Sequence, residues 1–598
     1  MQAARAPSVP IPGARVSGVT GSTRLRQALA ACRGSFAVAA AFSLALNLLM
    51  LVPSLYMLQI YDRVLASRNE TTLLMLSIVC AGLFVVLGGF DWLRGQLMTR
   101  VGIRLDDELS QDVYRSAFRS RLAGASVDPA RALADLATLR QFITGRGLFA
   151  FFDAPWTPIF IGVVFLFDVW LGALALAGAL VLILLAAMTE RLSREPSARA
   201  QQLAGLASSV AAGQIRNAEA IAAMGMLPRL LERWHAVQRA TLVELSQVGE
   251  RSAAISAISR TFRMALQSAV LGVGALAAID GRITPGMMIA ASILVGRALS
   301  PVEAAIGSWR SVAAARAAFQ RLDLLLGSAE RQPLPMPLPR PRGAVSVERL
   351  SVAAPGAPRL LLRGVSVEIA PGEAIAVVGP SGAGKSTFAR ALVGLWPAQA
   401  GAVRIDGTDL RHWDRDALGG WIGYLPQDVE LFDGTVAENI ARFADADPEA
   451  IVEAATRAGV HEMVQRLPTG YATQVGEAGA AMSAGQRQRI ALARALFGDP
   501  SLVVLDEPNS NLDDAGEAAL VDALRGMKAR GTTLVLVTHR RPILEVVDRV
   551  LVLQEGAIAR VGVRGAGPAG ARSDAPGPDS DAAADSLERV VPISGRTA

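Results

Sequence analysis

The N-terminal half contains apolar runs that only a lipid bilayer accommodates, and these decide much of what the chain can fold into. From about Phe36 to Ile60 the sequence carries Asn47 and Pro53 but no charge. About 20 apolar residues cross the hydrocarbon core as a helix, so this run spans it with some to spare. A second run covers Leu73 to Leu93, and Tyr61 to Thr72 between them reads as a tight polar external turn. Ala154 to Met188 is nearly continuous apolar sequence broken by Asp168; it suits two helices joined by a hairpin at Phe167–Leu171. A fifth run, Phe262 to Ile279, turns at Asp280–Arg282 and returns as Met287 to Leu299. The count is about six. Residues 94–147 and 189–260 are helical in pattern, mixed in charge and rich in arginine, so both are internal excursions and both termini are cytoplasmic.

Composition agrees. Hydrophobic residues make up 52% and charged ones 19%, with a mean hydropathy of +0.36. A soluble protein is more polar, and 598 residues exceed a single core. The net charge of +6 does not point to nucleic acid: the arginines are scattered, aromatics are 5%, and no basic stripe interleaves with stacking residues. Cys32 and Cys80 make neither a disulfide framework nor a metal cluster. Residues 1–34 hold five arginines and no acid ahead of a span-length run, which reads as a cytoplasmic tail rather than a cleavable signal. The transmembrane domain then covers 35–330. A linker over 331–343 follows, its alternate prolines forcing an extended form. An α/β pattern occupies 344–563, and the Gly-, Ala-, Pro- and Asp-rich segment 564–598 reads as a disordered tail. The expected fold is a membrane α-helical bundle of about six transmembrane helices followed by an α/β P-loop nucleotide-binding domain.

Gly379-Pro380-Ser381-Gly382-Ala383-Gly384-Lys385-Ser386-Thr387 fits the phosphate-binding pattern G-x-x-x-x-G-K-[ST]. The apolar strand Ala374–Val378 leads in and a helical stretch, Thr387 to Leu395, leads out. Glycines let successive N–H groups turn inward to phosphate oxygens, and the helix adds its positive end. Lys385, one of only two lysines in the chain, would reach the β/γ-phosphates, and Ser386 would ligate Mg²⁺. At the end of the strand Leu502–Leu505, Asp506 is placed to hold Mg²⁺ and Glu507 to polarise the attacking water. Ser483, Ala484, Gly485 and Gln486 open a helix and form a second anion site. Gln427, on a loop, can contact Mg²⁺ and the water; His539, after the strand Thr533–Val537, can touch the γ-phosphate. His235, His412 and His461 have no such setting and read as surface residues.

That order of elements makes residues 344–563 resemble the nucleotide-binding domain of an ATP-binding cassette transporter. The resemblance implies a head-to-tail pair of such domains. ATP and Mg²⁺ would lie between the phosphate loop of one chain and Ser483–Gln486 of the other, with Ser510–Asp513 communicating between sites. One cassette and six spans make a half-transporter, so a homodimer is expected.

Leu55–Leu65 with Ser67–Glu70, Ile215–Met226 and Glu507–Asp513 are similar to type I secretion ATPase/permeases, in the branch that exports proteases and lipases. Asp135–Gly145 resembles the first internal excursion of such exporters. This implies an ATPase of the bacterial inner membrane that exports unfolded proteins with C-terminal signals. Its partners would be a periplasmic adaptor (membrane fusion protein), a TolC-like outer-membrane channel, the secreted protein and membrane lipid. A lipid or small-molecule exporter of the same architecture stays open. In the cycle so implied, ATP closes the cassette dimer and hydrolysis releases it. Coupling is expected near Asp128–Asp135 and Arg216–Ala223, into the cleft beside Gln427. Three departures stand out: Met482 and Ala484 replace leucine and glycine with little change in volume, so the site is expected to be competent. Leu350–Pro355 offers no aromatic for adenine, and the 34 residues ahead of the first span are too few for a peptidase domain, so export without leader cleavage is expected. Buried charges in spans would mark a substrate path; Asp91, Asp153 and Asp168 lie near span ends and read as hydrated loop carboxylates.

Overall fold

The computed structural model describes residues 24–124, 129–329, 338–357 and 359–563. Most of the N-terminal tail, Asp128, most of the proline-rich linker and the C-terminal tail lie outside them. The chain divides into two compact units near residue 332.

The first unit is helical. A short α1 (Arg24–Ala31) precedes the first span, built from α2 (Arg33–Leu49), α3 (Val52–Gln59), a π-helical turn (Ile60–Val64) and the single turn α4 (Leu65–Ser67). Pro53 has no N–H to return to the Leu49 carbonyl, and the helix breaks at Met50–Leu51. Tyr61–Thr72 is therefore mostly helix rather than a loop. The reversal is confined to Arg68, left-handed at φ 54°, and Asn69, whose side chain accepts from the Thr72 N–H at 3.1 Å. The second span is the outer part of α5 (Glu70–Leu122), which runs unbroken into the first excursion. There α6 (Pro129–Thr144) and α7 (Arg146–Asp153) follow, and α7 leads through a 3₁₀ turn into α8 (Thr157–Phe167), the third span.

The fourth and fifth spans belong to α9 (Val169–Arg216) and α11 (Leu227–Ile279), which extend through the second excursion around the short α10 (Ala218–Ala223). The sixth is α12 (Pro285–Gly307), followed by α13 (Trp309–Ala329). Among the described residues, six helical segments are long and apolar enough to cross a membrane.

Polar contacts lace these apolar helices at both ends. Asp168 is extended, ends α8, and caps α9 by accepting from the N–H groups of Trp170 and Leu171 at 2.8 and 3.2 Å; its other oxygen takes Arg282 at 2.7 Å. Asp62, on the π-helical turn, accepts from Thr284 Oγ1 at 2.5 Å and the Gly286 N–H at 2.9 Å, tying the first span to the start of α12. A Cβ at Gly286 would lie 2.5 Å from the Asp62 carboxylate, so only glycine allows that approach. At the other end, buried Arg94 donates to Ser43 at 2.9 Å, to Asp153 at 3.3 Å and to Asp91 at 2.8 Å, and lies 4.3 Å above the Phe149 ring. Asn47 donates to the same Asp153 at 2.9 Å. Asp153 and Asp168 are thus not hydrated loop carboxylates; each is held by an arginine and a second donor, and only Asp91 stays largely exposed.

The second unit has two sheets. A four-stranded antiparallel sheet runs β2 (Leu360–Ile369), β1 (Val345–Ala353), β4 (Ala400–Ile405), β5 (Thr408–Asp409). The six-stranded sheet has the order β10-β9-β3-β8-β7-β6. Its strands are β3 (Ala374–Val378), β6 (Ile422–Leu425), β7 (Leu502–Asp506), β8 (Thr533–Val537), β9 (Arg549–Gln554) and β10 (Ala557–Val563). All pair in parallel except β10. β7 and β8 are buried throughout, as unbroken apolar strands in a parallel sheet covered on both faces must be. One core packs α14 (Lys385–Leu392) and α15 (Arg415–Gly419) between the sheets. On the opposite face lie α16 (Val436–Ile440), α17 (Pro448–Arg457), α18 (His461–Gln465), α19 (Ala484–Leu496), α20 (Asp514–Ala529) and α21 (Arg541–Leu544). His461 is not a free surface residue: its Nδ1 is 2.8 Å from the Tyr471 hydroxyl.

Removing one partner from a buried ion pair strands the other charge, at a cost of about 3 kcal/mol. Arg94→Met is therefore expected to lower the thermal unfolding midpoint of the detergent-solubilised protein markedly. Arg94→Met with Asp153→Leu should recover part of that loss, and a single variant melting like wild type would show that the Arg94 cluster does not hold the first three spans.

Candidate nucleotide-binding and hydrolysis site

Parallel register gathers the site. The adjacent strands β3, β8, β7 and β6 all point the same way, so the segments leaving their C-terminal ends share one edge of the sheet. Those segments are the Gly379–Thr387 loop after β3, His539 after β8, Asp506 and Glu507 at the end of β7, and Gln427 after β6.

The loop curls back on itself and opens α14 at Lys385, two residues before the expected start. Gly379 has φ 155° and a Cβ there would lie 2.2 Å from the Leu553 carbonyl; Gly384, at φ 99°, caps the helix in a left-handed conformation. The Lys385 ammonium bonds to the carbonyls of Gly379 at 2.8 Å and Pro380 at 3.0 Å, so it is folded over the loop it serves. Glu507 sits at φ 51°, its N–H held by the Val537 carbonyl at 2.9 Å, and its carboxylate accepts from Gln427 Nε2 at 3.1 Å. Asp506 is fully buried, and among the described residues neither carboxylate oxygen has a partner within hydrogen-bonding distance, the Ser386 hydroxyl being near but not in contact. Burial pushes its carboxyl up; the Ser386 hydroxyl opposes this, Glu507 adds to it, and Arg390 and Lys385 pull the other way. His539 is exposed and makes no hydrogen bond among the described residues.

Among the described residues, Ser483–Gln486 make no hydrogen bond to this group. Ser483 caps α19 in a reciprocal box: its Oγ accepts from the Gln486 N–H at 3.2 Å, and Gln486 Oε1 accepts from the Ser483 N–H at 2.9 Å. Ser483 and Ala484 are exposed, whereas Met482 is buried in the helical core, filling the apolar role expected of a leucine there. Leu350, Val352 and Ala353 are buried in β1, with no aromatic among Leu350–Pro355.

The sequence matches the ABC transporter family over residues 362–510 and the ABC transporter transmembrane region over 36–300. It is 45% identical to the type I secretion system ATP-binding protein PrsD of Rhizobium meliloti over 540 residues, covering 90% of this chain and 92% of that one. The chain belongs to the ABC transporters of type I secretion. It is also 31% identical to the cyclolysin secretion/processing ATP-binding protein CyaB of Bordetella pertussis, across 87% of this chain and 74% of that one. The leukotoxin translocation ATP-binding protein LktB of Mannheimia haemolytica shows 30% identity with the same coverages. A solved bacterial Atm1-family ABC exporter with ATP bound shares the fold, with a TM-score of 0.75 and 23% identity over 89% of this chain and 96% of that one. This transporter is thus an ATP-hydrolysing, multi-pass membrane exporter whose cassette binds nucleotide.

The residues present fit a divalent cation. A buried carboxylate with two unpartnered oxygens beside a hydroxyl is an unbalanced charge that a metal ion would neutralise. One residue escaped the sequence reading. Gln488, buried on α19, donates to the carbonyls of Glu507, at 3.2 Å, and Pro508, and accepts from the Asn511 N–H at 3.0 Å. It fastens the start of α19 to the left-handed turn that aims Glu507. Its place one turn inside the helix, at i+5 from Ser483, was the only sequence signal. Tyr424 and Arg390 form a further support: burial and the nearby Asp506 charge push the Tyr424 phenol up, and Arg390 counters.

Two outcomes follow. Because burial pushes the Asp506 carboxyl up, protons should compete with a cation held there sooner than at an ordinary aspartate. Mg²⁺ affinity of the ATP-loaded cassette, titrated from about pH 8 down to about pH 5, should fall early, and Asp506→Asn should remove both the slope and most of the affinity. Gln488→Leu breaks buried hydrogen bonds worth about 1 kcal/mol each, and should slow ATP turnover about tenfold with nucleotide affinity retained. Unchanged turnover would mean that Glu507 is aimed without Gln488.

Proposed function

We propose that the transporter works as a homodimer in the bacterial inner membrane, hydrolysing Mg-ATP to export unfolded proteins with C-terminal signals. Amides of Gly379–Thr387 cradle the phosphates, Lys385 meets the β/γ-phosphates, and Ser386, Asp506 and Gln427 hold Mg²⁺. Glu507 polarises the attacking water and His539 reads the γ-phosphate. Ser483, Ala484, Gly485 and Gln486 of the second copy close each site. The conduit continues through a periplasmic adaptor and an outer-membrane channel.

Likeness to secretion ATPases along nine-tenths of the chain, spans included, carries this proposal. A cassette alone would say only that ATP is used; the shared membrane half bears on what is moved. The exposed start of α19 supports the two-copy site: the capping box occupies the Ser483 and Gln486 N–H groups, while those of Ala484 and Gly485 have no acceptor among the described residues and can meet a phosphate from outside the chain.

Complementation tests the composite site. Lys385→Ala alone and Ser483→Arg alone should each abolish ATP hydrolysis. Co-expressed, they should restore activity, because about half of random dimers are then mixed and each mixed dimer contains one intact site. Absence of any restored turnover, with mixed dimers shown to form, rules out sharing between copies. Cells carrying Glu507→Gln should also stop secreting the passenger protein; continued secretion would leave export without its engine.

A further inference from the structure

The sixth span holds a charge that neither the hydrolysis site nor the helix-end lacework uses. More than half of its apolar window, 56%, is buried within the protomer, against 6% for the second span. What α12 leaves open is one strip at spacings of three and four: Arg297, Ser300, Ala304 and Gly307 are exposed, and Ile293 is partly so. Leu294, Val295, Ala298 and Leu299, flanking the arginine, are all buried. Arg297 therefore does not belong to the face that packs the bundle.

Its depth matters. Arg297 lies twelve residues into α12, about 18 Å from its outer end at 1.5 Å per residue, near the middle of a hydrocarbon core about 30 Å thick. Other charges along this helix are matched. Glu303, nearer the inner end, pairs with Arg263 at 2.7 Å, and Arg282, just before the outer end, pairs with Asp168. Arg297 has no carboxylate within ion-pairing distance among the described residues, and its one polar neighbour is the Met50 sulfur at 4.0 Å. Met50 is where the first span breaks. An exposed cation and an interrupted helix thus meet at one depth. Lipid disfavours both: a charge facing it is strongly unfavourable, and irregular backbone is tolerated there only beside protein or a water-filled path.

We infer that Arg297 and its strip line the path by which the passenger crosses the membrane, with Arg297 the cation that meets acidic side chains of the polypeptide at mid-depth. In a twofold dimer a second Arg297 would face the same path, and two like charges there favour a hydrated conduit over a dry seam. The inference rests on the protein-export proposal above.

Labelling of the full-length transporter in membranes tests the path without any passenger. In a Cys32→Ala/Cys80→Ala background, Arg297→Cys should react with membrane-impermeant charged thiosulfonates. Val85→Cys, on the most lipid-like face of α5 at 76% exposure, should not. Reaction of Arg297→Cys with permeant maleimide alone, or a spontaneous disulfide between copies in place of labelling, overturns the inference. The charge role is read with a fluorescent 20-residue oligoglutamate and the matching oligoglutamine. Arg297→Gln should weaken oligoglutamate binding about tenfold, Arg297→Lys should retain it, and oligoglutamine should not distinguish them. Equal changes for both peptides would make Arg297 a structural residue. Failure of the export proposal looks different: secretion would be indifferent to Glu507→Gln while position 297 still labels.

Discussion

Lipid offers no hydrogen bonds, so every backbone group crossing it must find its partner within the helix that carries it. That single demand makes the N-terminal unit a set of long helices, three of which continue unbroken for about 50 residues into the internal excursions. It also makes each departure informative. The first span departs twice, at the Pro53 break and at the π-helical turn that carries Asp62. The turn is covered by a compensating contact, Asp62 on Thr284 and Gly286; the break stands beside Met50 and Arg297. Where polar groups are matched, as around Arg94 and Asp168, they bind helices together. Arg297 differs from these charges in having no carboxylate within ion-pairing distance among the described residues.

The cassette obeys a different constraint, the register of a parallel sheet. Because β3, β8, β7 and β6 run side by side in one direction, four segments scattered over 160 residues of sequence, Gly379 to His539, end on one edge. Their positions then depend on short local supports. Gln488 holds the turn after β7, Asn509 accepts from Thr538 at 3.2 Å across the same edge, and Gln427 reaches Glu507. Glu507 is thus braced from α19 through Gln488 and from the loop after β6 through Gln427 at once.

Much of this was legible beforehand, for identifiable reasons. Spans announce themselves by length and hydropathy, and the hairpin at Asp168 by a lone charge in an apolar run. The phosphate loop announces itself because few sequences can curl a backbone around phosphates. What the sequence hid were relations between distant residues. Asp153 read as a loop carboxylate because it lies near a span end and its basic partner is remote in sequence; Arg94 lies 59 residues away. Tyr61–Ser67 read as a turn because it is polar, yet Asp62 had a distant helix end to cap. Arg297 sat inside a run read as apolar, and only the burial of its neighbours sets it apart.

The state of Asp506 bears on how ATP can drive anything. A ligand shifts a conformational equilibrium only by the difference in its affinity for the two states. Within one chain, the phosphate loop, Asp506 and Glu507 are already gathered, so binding there alone changes little between open and closed forms. With the roles proposed for Asp506 and the phosphate loop, cation and nucleotide would relieve the buried carboxylate in either form. The difference must come from donors present in one form only, and the exposed start of α19, where Ser483 and Gln486 cap each other, is a candidate source of them. On the homodimer proposal, closure brings that end to the phosphates, and hydrolysis takes away the group it reads. The work delivered to the spans is then bounded by how tightly one copy's Ser483–Gln486 holds the other copy's ATP.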